Sequence, residues 1–125
     1  MSRILVLDDE QAIGRAMRWE LKGFEVEVAS SISEALTALC RTQFDAVICD
    51  WNLGRHETSQ CVLEAAAKLQ RSSRRFIVSG FVPDSLAPLL VSGVAHRYIA
   101  KPWTPRDVRA AVTEELEQGS PRSHM

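Results

Sequence analysis

The sequence predicts an α/β domain in which helices cover both faces of one parallel sheet, a doubly wound arrangement. Three observations carry this. Short apolar runs alternate strictly with amphipathic helical segments, five times over. Three of the runs, at residues 4–7, 46–49 and 76–78, are apolar at every position, as strands covered on both faces are. The chain has 125 residues, 46% apolar and 25% charged, which suits one globular domain and excludes a disordered polymer.

The elements follow in order. The first strand, at 4–7, ends in Asp8-Asp9-Glu10. Ile13, Ala16, Met17 and Leu21 then recur at helical spacing, with Arg15, Arg18 and Lys22 on the other face. The second strand, at 26–29, alternates with Glu25 and Glu27, which places it at a sheet edge. Ser31-Ile32-Ser33-Glu34 has the form of a capping box and opens a helix carrying Ala35, Leu36, Leu39 and Cys40. The third strand, at 46–49, includes Cys49 as a small buried hydrophobe. Val62, Leu63, Ala66, Ala67 and Leu69 mark the third helix, and 76–78 is the fourth strand. A fourth helix is expected around 84–91, shortened or distorted by Pro88. The fifth strand lies at 98–100. Thr104-Pro105-Arg106-Asp107 then supplies an N-cap, a proline at the first helical position and an acid at the third. Val108, Ala111, Val112 and Leu116 form the buried stripe of that last helix. Residues 119–125 lack any period and read as a disordered tail, a linker or a cloning scar, leaving 1–118 as the domain.

Composition excludes several function classes. Fifteen basic and sixteen acidic side chains give a net charge of −1, so no bulk attraction to nucleic acid or anionic lipid is expected. The longest stretch free of Asp, Glu, Lys and Arg is 85–96, shorter than the roughly 20 residues of a membrane span. The N-terminus turns acidic after four apolar residues, unlike a signal peptide, so a cytoplasmic location is expected. Cys40, Cys49 and Cys61 are odd in number and show no C-x-x-C, so neither a disulfide nor a zinc site is expected.

In open parallel sheets, ligands bind beyond the carboxyl ends of the strands. Asp8, Asp9 and Glu10 follow the first strand, Asp50 the third, Ser79 and Gly80 the fourth, and Lys101 and Pro102 the fifth. Carboxylates converging at one sheet end need a cation, and hard oxygen donors on short loops suit Mg²⁺. A hydroxyl and an ammonium at the same edge suit a phosphoryl group. A single Asp at a strand end is usually a turn former. All four features at one end of four strands are jointly specific.

On these motifs the chain resembles the receiver domains of two-component response regulators, over residues 3–118. The runs concerned are Ile4-Leu5-Val6-Leu7-Asp8-Asp9-Glu10, Asp50-Trp51-Asn52-Leu53, Val78-Ser79-Gly80 and Tyr98-Ile99-Ala100-Lys101-Pro102. The resemblance implies a five-stranded, flavodoxin-like (βα)5 sheet in the order 2-1-3-4-5. It implies Asp50 as phosphoacceptor and Mg²⁺ held by Asp9, Asp50 and the backbone carbonyl of Asn52, with Asp8 acting through water. It further implies Lys101 as the phosphate-binding lysine, Ser79 as the switch hydroxyl and Tyr98 as the switch aromatic. The donor would be a sensor histidine kinase or a histidine phosphotransfer protein. The partner surface would lie on the fourth helix, fifth strand and fifth helix, including Tyr98 and Trp103. Its target would be a downstream protein or a C-terminal output domain.

The sequence departs from the family pattern beside the acceptor. A proline often follows the position of Leu53 in the family, with a glycine a few residues later. Here Gly54-Arg55-His56-Glu57-Thr58 stands instead, and Gly80 replaces a common alanine. Two other readings compete. An Asp-nucleophile, Mg²⁺-dependent phosphatase would carry Asp-x-Asp after its first strand, whereas this chain has adjacent Asp8-Asp9 and no cap insertion. A degenerate receiver would act as an interaction module without phosphorylation. No turnover of a separate substrate is expected.

Overall fold

A computed structural model describes residues 2–54, 57–80, 86–101 and 104–119. Strands and helices alternate along them: β1 (Arg3–Leu7), α1 (Gln11–Glu20), β2 (Glu25–Ala29), α2 (Ile32–Arg41), β3 (Ala46–Asp50), α3 (Gln60–Leu69), β4 (Arg74–Ser79), α4 (Leu86–Ser92), β5 (Arg97–Ala100) and α5 (Pro105–Gly119). All strand pairs are parallel, and the sheet order is β2-β1-β3-β4-β5.

The period-2 alternation of a strand sorts the central residues onto two faces. Leu5, Leu7, Val47, Cys49 and Ile77 pack under α2, α3 and α4 with Ala35, Leu39, Leu63, Ala66, Leu86 and Leu89. Ile4, Val6, Ala46, Ile48, Phe76, Val78 and Ile99 pack under α1 and α5 with Met17, Leu21, Val108, Ala111 and Val112. Both faces are therefore dry, which is why β1, β3 and β4 read as unbroken apolar runs. Each large side chain buried there contributes roughly 1.5–3 kcal/mol. Strand β2 is an edge, as its glutamates predict. Glu25 pairs with Arg3 at 2.6 Å, and Glu27 pairs with Arg41. These exposed pairs add little stability, but they place charge along an edge otherwise open to strand addition.

The caps follow the sequence with one shift. The Ser31 hydroxyl accepts the Glu34 amide at 3.2 Å, but the Glu34 carboxylate accepts from the amide of Ser30, one residue before the cap, at 2.9 Å. The Ser30 hydroxyl also donates to that carboxylate, at 3.1 Å, and so draws it past Ser31. At α5 the box is reciprocal: the Asp107 amide donates to Thr104 Oγ1 at 3.1 Å, and the Thr104 amide to Asp107 Oδ2 at 2.8 Å. Helix α4 holds Pro88 at its third described position. The expected start of this helix at residues 84–85 lies outside the described residues, as does the tail from 120 onward.

Two expected core positions are exposed. Cys40 lies about 100° around α2 from Leu39, beyond the buried arc that Ala35, Ala38 and Leu39 define. Leu69 lies on the arc of Val62 and Ala66, but in the last turn, where the chain leaves the helix and buries Gln70 instead. The Gln70 amide earns that place by accepting from the Phe44 amide at 2.7 Å and donating to Leu39 O at 2.9 Å and Thr42 O at 2.6 Å.

A second polar knot lies at the end of the sheet away from the acids. Arg75 on β4 is buried and forms no ion pair among the described residues. Its guanidinium donates to Val94 O at 2.7 Å, Gly93 O at 3.1 Å and Ser73 O at 2.8 Å. The Arg75 amide donates to His96 Nδ1 at 3.0 Å, which requires a neutral ring. Burial, reinforced by the nearby Arg74 and Arg75 charges, holds the His96 pKa down at about 4. The carbonyls after α4 are thus tied to the turn after α3.

Candidate functional site

Each acid is set by the strand that precedes it. The Asp8 amide donates to Ala29 O at 3.1 Å, carrying the β1–β2 ladder one residue beyond β1. The Asp8 Oδ1 accepts the Glu10 amide at 2.9 Å, a turn stabilised by its own side chain, after which α1 begins. Asp50 is the last residue of β3, and the next amide, that of Trp51, donates to Val78 O at 2.8 Å. Asp8 and Asp50 are buried, and Asp9 is exposed. One carboxylate oxygen from each of Asp8, Asp9 and Asp50 lies within 4.8 Å of the others.

The fourth and fifth strands bring the other groups. Lys101 Nζ donates to Asp50 Oδ1 at 3.1 Å. The Lys101 amide donates to Ser79 O at 2.8 Å, which locks the two strand ends together. Ser79 is buried, and its carbonyl also accepts the Tyr98 hydroxyl at 3.1 Å. The aromatic ring is therefore tethered to the backbone of Ser79.

The electrostatics favour a cation. Two unit charges 4.8 Å apart at an effective dielectric of 20 repel by about 3 kcal/mol. The Asp8 pKa is raised to about 6, first by burial and then by the charges of Asp50 and Asp9, against the Glu10 amide and Lys101. Burial also raises the pKa of Asp50, while the hydrogen bond and charge of Lys101 lower it and Asp9 and Glu10 raise it further. One ammonium does not neutralise three carboxylates. Clustered hard oxygen donors, two of them partly stripped of water, form a donor set that fits a small divalent ion.

The loop after Asp50 has a defined shape where it is described. Asn52 is exposed and pairs with Thr58 in an isolated antiparallel bridge. The Leu53 amide donates to Glu57 O at 3.0 Å, and the Glu57 amide to Gly54 O at 2.9 Å. Gly54 has φ +75°, which proline cannot adopt, so the proline common at this point of the family has no place in this turn. Arg55 and His56 lie outside the described residues. So do Pro102 and Trp103, and with Trp103 part of the expected partner surface. The structure thus brings Asp8, Asp9, Asp50 and Lys101 together, with Ser79 and Tyr98 alongside. Sequence reasoning missed Gly54 and Arg75. The run Asn52-Leu53-Gly54 carried a turn signal for the first, and no local pattern marks the second.

Comparison with known proteins agrees with this fold. Residues 4–113 match the family model described as the response regulator receiver domain. The alginate biosynthesis transcriptional regulatory protein AlgB of Pseudomonas putida is 33% identical over 119 residues, covering 92% of this chain and 26% of its own. The chain thus spans about a quarter of that relative's length. A CheY-like response regulator receiver domain protein from Methanospirillum hungatei superposes with a TM-score of 0.87 at 29% identity, over 95% of this chain and 96% of that one. The response regulator TrrA from Thermotoga maritima, solved in complex with Mg²⁺ and BeF, gives a TM-score of 0.75 at 25% identity, over 91% of this chain and 98% of that one.

Proposed function

The chain belongs to the response regulator receiver domain family, a component of two-component signalling, and from that membership we propose that Asp50 is its phosphoacceptor. The observation that carries the proposal is the Asp50 carboxylate, at the end of the central strand, held by Lys101 at 3.1 Å and faced by Asp8 and Asp9. An Asp50 oxygen attacks the phosphorus of a phosphohistidine on a histidine kinase or phosphotransfer protein. The P–N bond breaks, and the imidazole leaves with the electron pair.

Asp9, Asp50 and the Asn52 carbonyl would hold Mg²⁺ directly, and Asp8 through water. When bound, the ion neutralises charge on the phosphoryl oxygens. The TrrA complex with Mg²⁺ and BeF supports this choice of ion. Lys101 stabilises a further oxygen, and the chain contributes position and charge. The Ser79 hydroxyl then turns to the phosphoryl group, and Tyr98 loses its tether and repacks. A new dianion thereby biases the surface of α4, β5 and α5, to which the sequence assigns Tyr98 and Trp103. The partner there is a downstream protein or an output domain, as expected of a chain matching a quarter of a transcriptional regulator. The cytoplasmic location read from the sequence belongs to this proposal.

The test is direct. A small phosphodonor with Mg²⁺ should add one phosphoryl group by intact mass, and Asp50→Asn should abolish it. Undiminished labelling of that variant overturns the assignment. Multiple turnover of a generic phosphate ester would favour the phosphatase reading, and no labelling of the wild type the degenerate receiver.

A further inference from the structure

We infer that the missing side chain at Gly54 keeps the Asp9 carboxylate open to a hydrated metal ion, which makes Gly54 a positioning residue of the acid cluster. The inference rests on the Mg²⁺ reading above and extends it to a residue outside the acids.

The three acids are not held alike. Asp8 is fixed by the Glu10 amide and Asp50 by Lys101. No hydrogen bond among the described residues holds the exposed Asp9 carboxylate, so what packs beside it sets the space it commands. The turn after β3 supplies that neighbour. A β-carbon on Gly54 would lie 3.4 Å from Asp9 Oδ2 and, among the described residues beyond its chain neighbours, would meet no other atom within 4 Å.

That distance is van der Waals contact rather than collision. A methyl group there would cover one oxygen of Asp9 and take the place of water beside it. Mg²⁺ sheds its waters reluctantly and usually keeps several, so it is sensitive to an apolar group against a ligand oxygen. The backbone adds a second constraint. At φ +75° glycine rests without strain, and the Leu53–Glu57 and Glu57–Gly54 hydrogen bonds close the turn around it. Any other residue strains the turn and brings a β-carbon into contact with Asp9.

A matched control separates these two effects. Gly93 has φ +84°, and a β-carbon there meets nothing within 4 Å among the described residues beyond its chain neighbours. Gly54→Ala and Gly93→Ala therefore impose similar backbone strain, and the first alone touches an acid. Gly54→Asn keeps the β-carbon but tolerates the left-handed region, and it serves if the alanine variant fails to fold.

Amide chemical shifts would be followed by NMR during Mg²⁺ titration of the wild type and the three variants, with metal-free melting temperatures alongside. Gly54→Ala and Gly54→Asn should each weaken Mg²⁺ binding about tenfold. Gly93→Ala should stay within about twofold of wild type while melting as low as Gly54→Ala. Saturable wild-type binding with both Gly54 variants within about twofold of it overturns the inference alone. So does an equal loss in Gly93→Ala, because strain would then explain it. A wild type with no saturable response overturns the Mg²⁺ reading and this inference with it.

Discussion

Neutralising Asp8 should stabilise the metal-free protein. The buried carboxyl has its pKa raised from 3.8 to about 6. At about 1.4 kcal/mol per unit, ionising it in the folded state costs about 3 kcal/mol at pH 7. Asn at this position removes the charge and keeps an oxygen for the Glu10 amide, which donates at 2.9 Å. The stronger bond that the charged oxygen makes to this amide is already contained in the net rise of the pKa, so nothing further is subtracted. Asp8→Asn should therefore add about 3 kcal/mol in EDTA. For a domain of this size that raises Tm by about 9–12 °C. The pH dependence gives the stricter test. An acid with a raised folded pKa binds more protons folded than unfolded, so its stabilising protonation is complete below pH 3.8 and lost as pH rises through about 6. The advantage of the variant should be full at pH 7–8 and largely gone at pH 4. Thermal melts of both proteins across that range decide the matter, since titrations away from the acid cluster are common to both and cancel. An advantage that does not change with pH, or a variant that melts lower at pH 7, would refute the electrostatic account and make Asp8 a turn former only.

Three other outcomes are expected. Arg75→Met should cost about 3 kcal/mol in urea unfolding, because it leaves the buried carbonyl of Ser73 and the part-buried carbonyls of Gly93 and Val94 without this donor; a loss below about 1 kcal/mol would mean water replaces the guanidinium. The neutral His96 ring contributes stability that is present above pH 6.5 and lost as pH falls through about 4, so His96→Gln should flatten that acid limb, and an NMR-measured pKa near 6.5 would contradict it. A beryllofluoride mimic should change hydrogen exchange most between residues 79 and 103, with Tyr98→Phe enhancing exchange there beforehand by losing the tether to Ser79 O; changes centred on α1 would move the output face to that helix.

The arrangement of elements was legible because its signals are local. Apolar runs in β1, β3 and β4 report burial on both faces, and the Glu25–Glu27 alternation reports an edge. Ser31 and Thr104 announce their helix starts through hydrogen bonds that span three residues. The acids were legible for a different reason: parallel strands all end at one edge, so residues just after them converge whatever the details. Relations between loops were hidden. Nothing near Leu69 tells that the chain turns there and buries Gln70, since that depends on carbonyls at Leu39 and Thr42. Nothing near Arg75 predicts a buried guanidinium, because its acceptors at Ser73, Gly93 and Val94 meet only when β4 and β5 pair. The 3.4 Å approach of position 54 to Asp9 is of the same kind, joining two loops 45 residues apart. The sequence by itself determined the elements, their order of burial and the acids at the sheet edge, since each follows from neighbours along the chain. Only the tertiary structure decided which polar groups satisfy one another and how much room surrounds Asp9, because hydrogen bonds and van der Waals contacts act over a few ångströms in space regardless of distance along the chain.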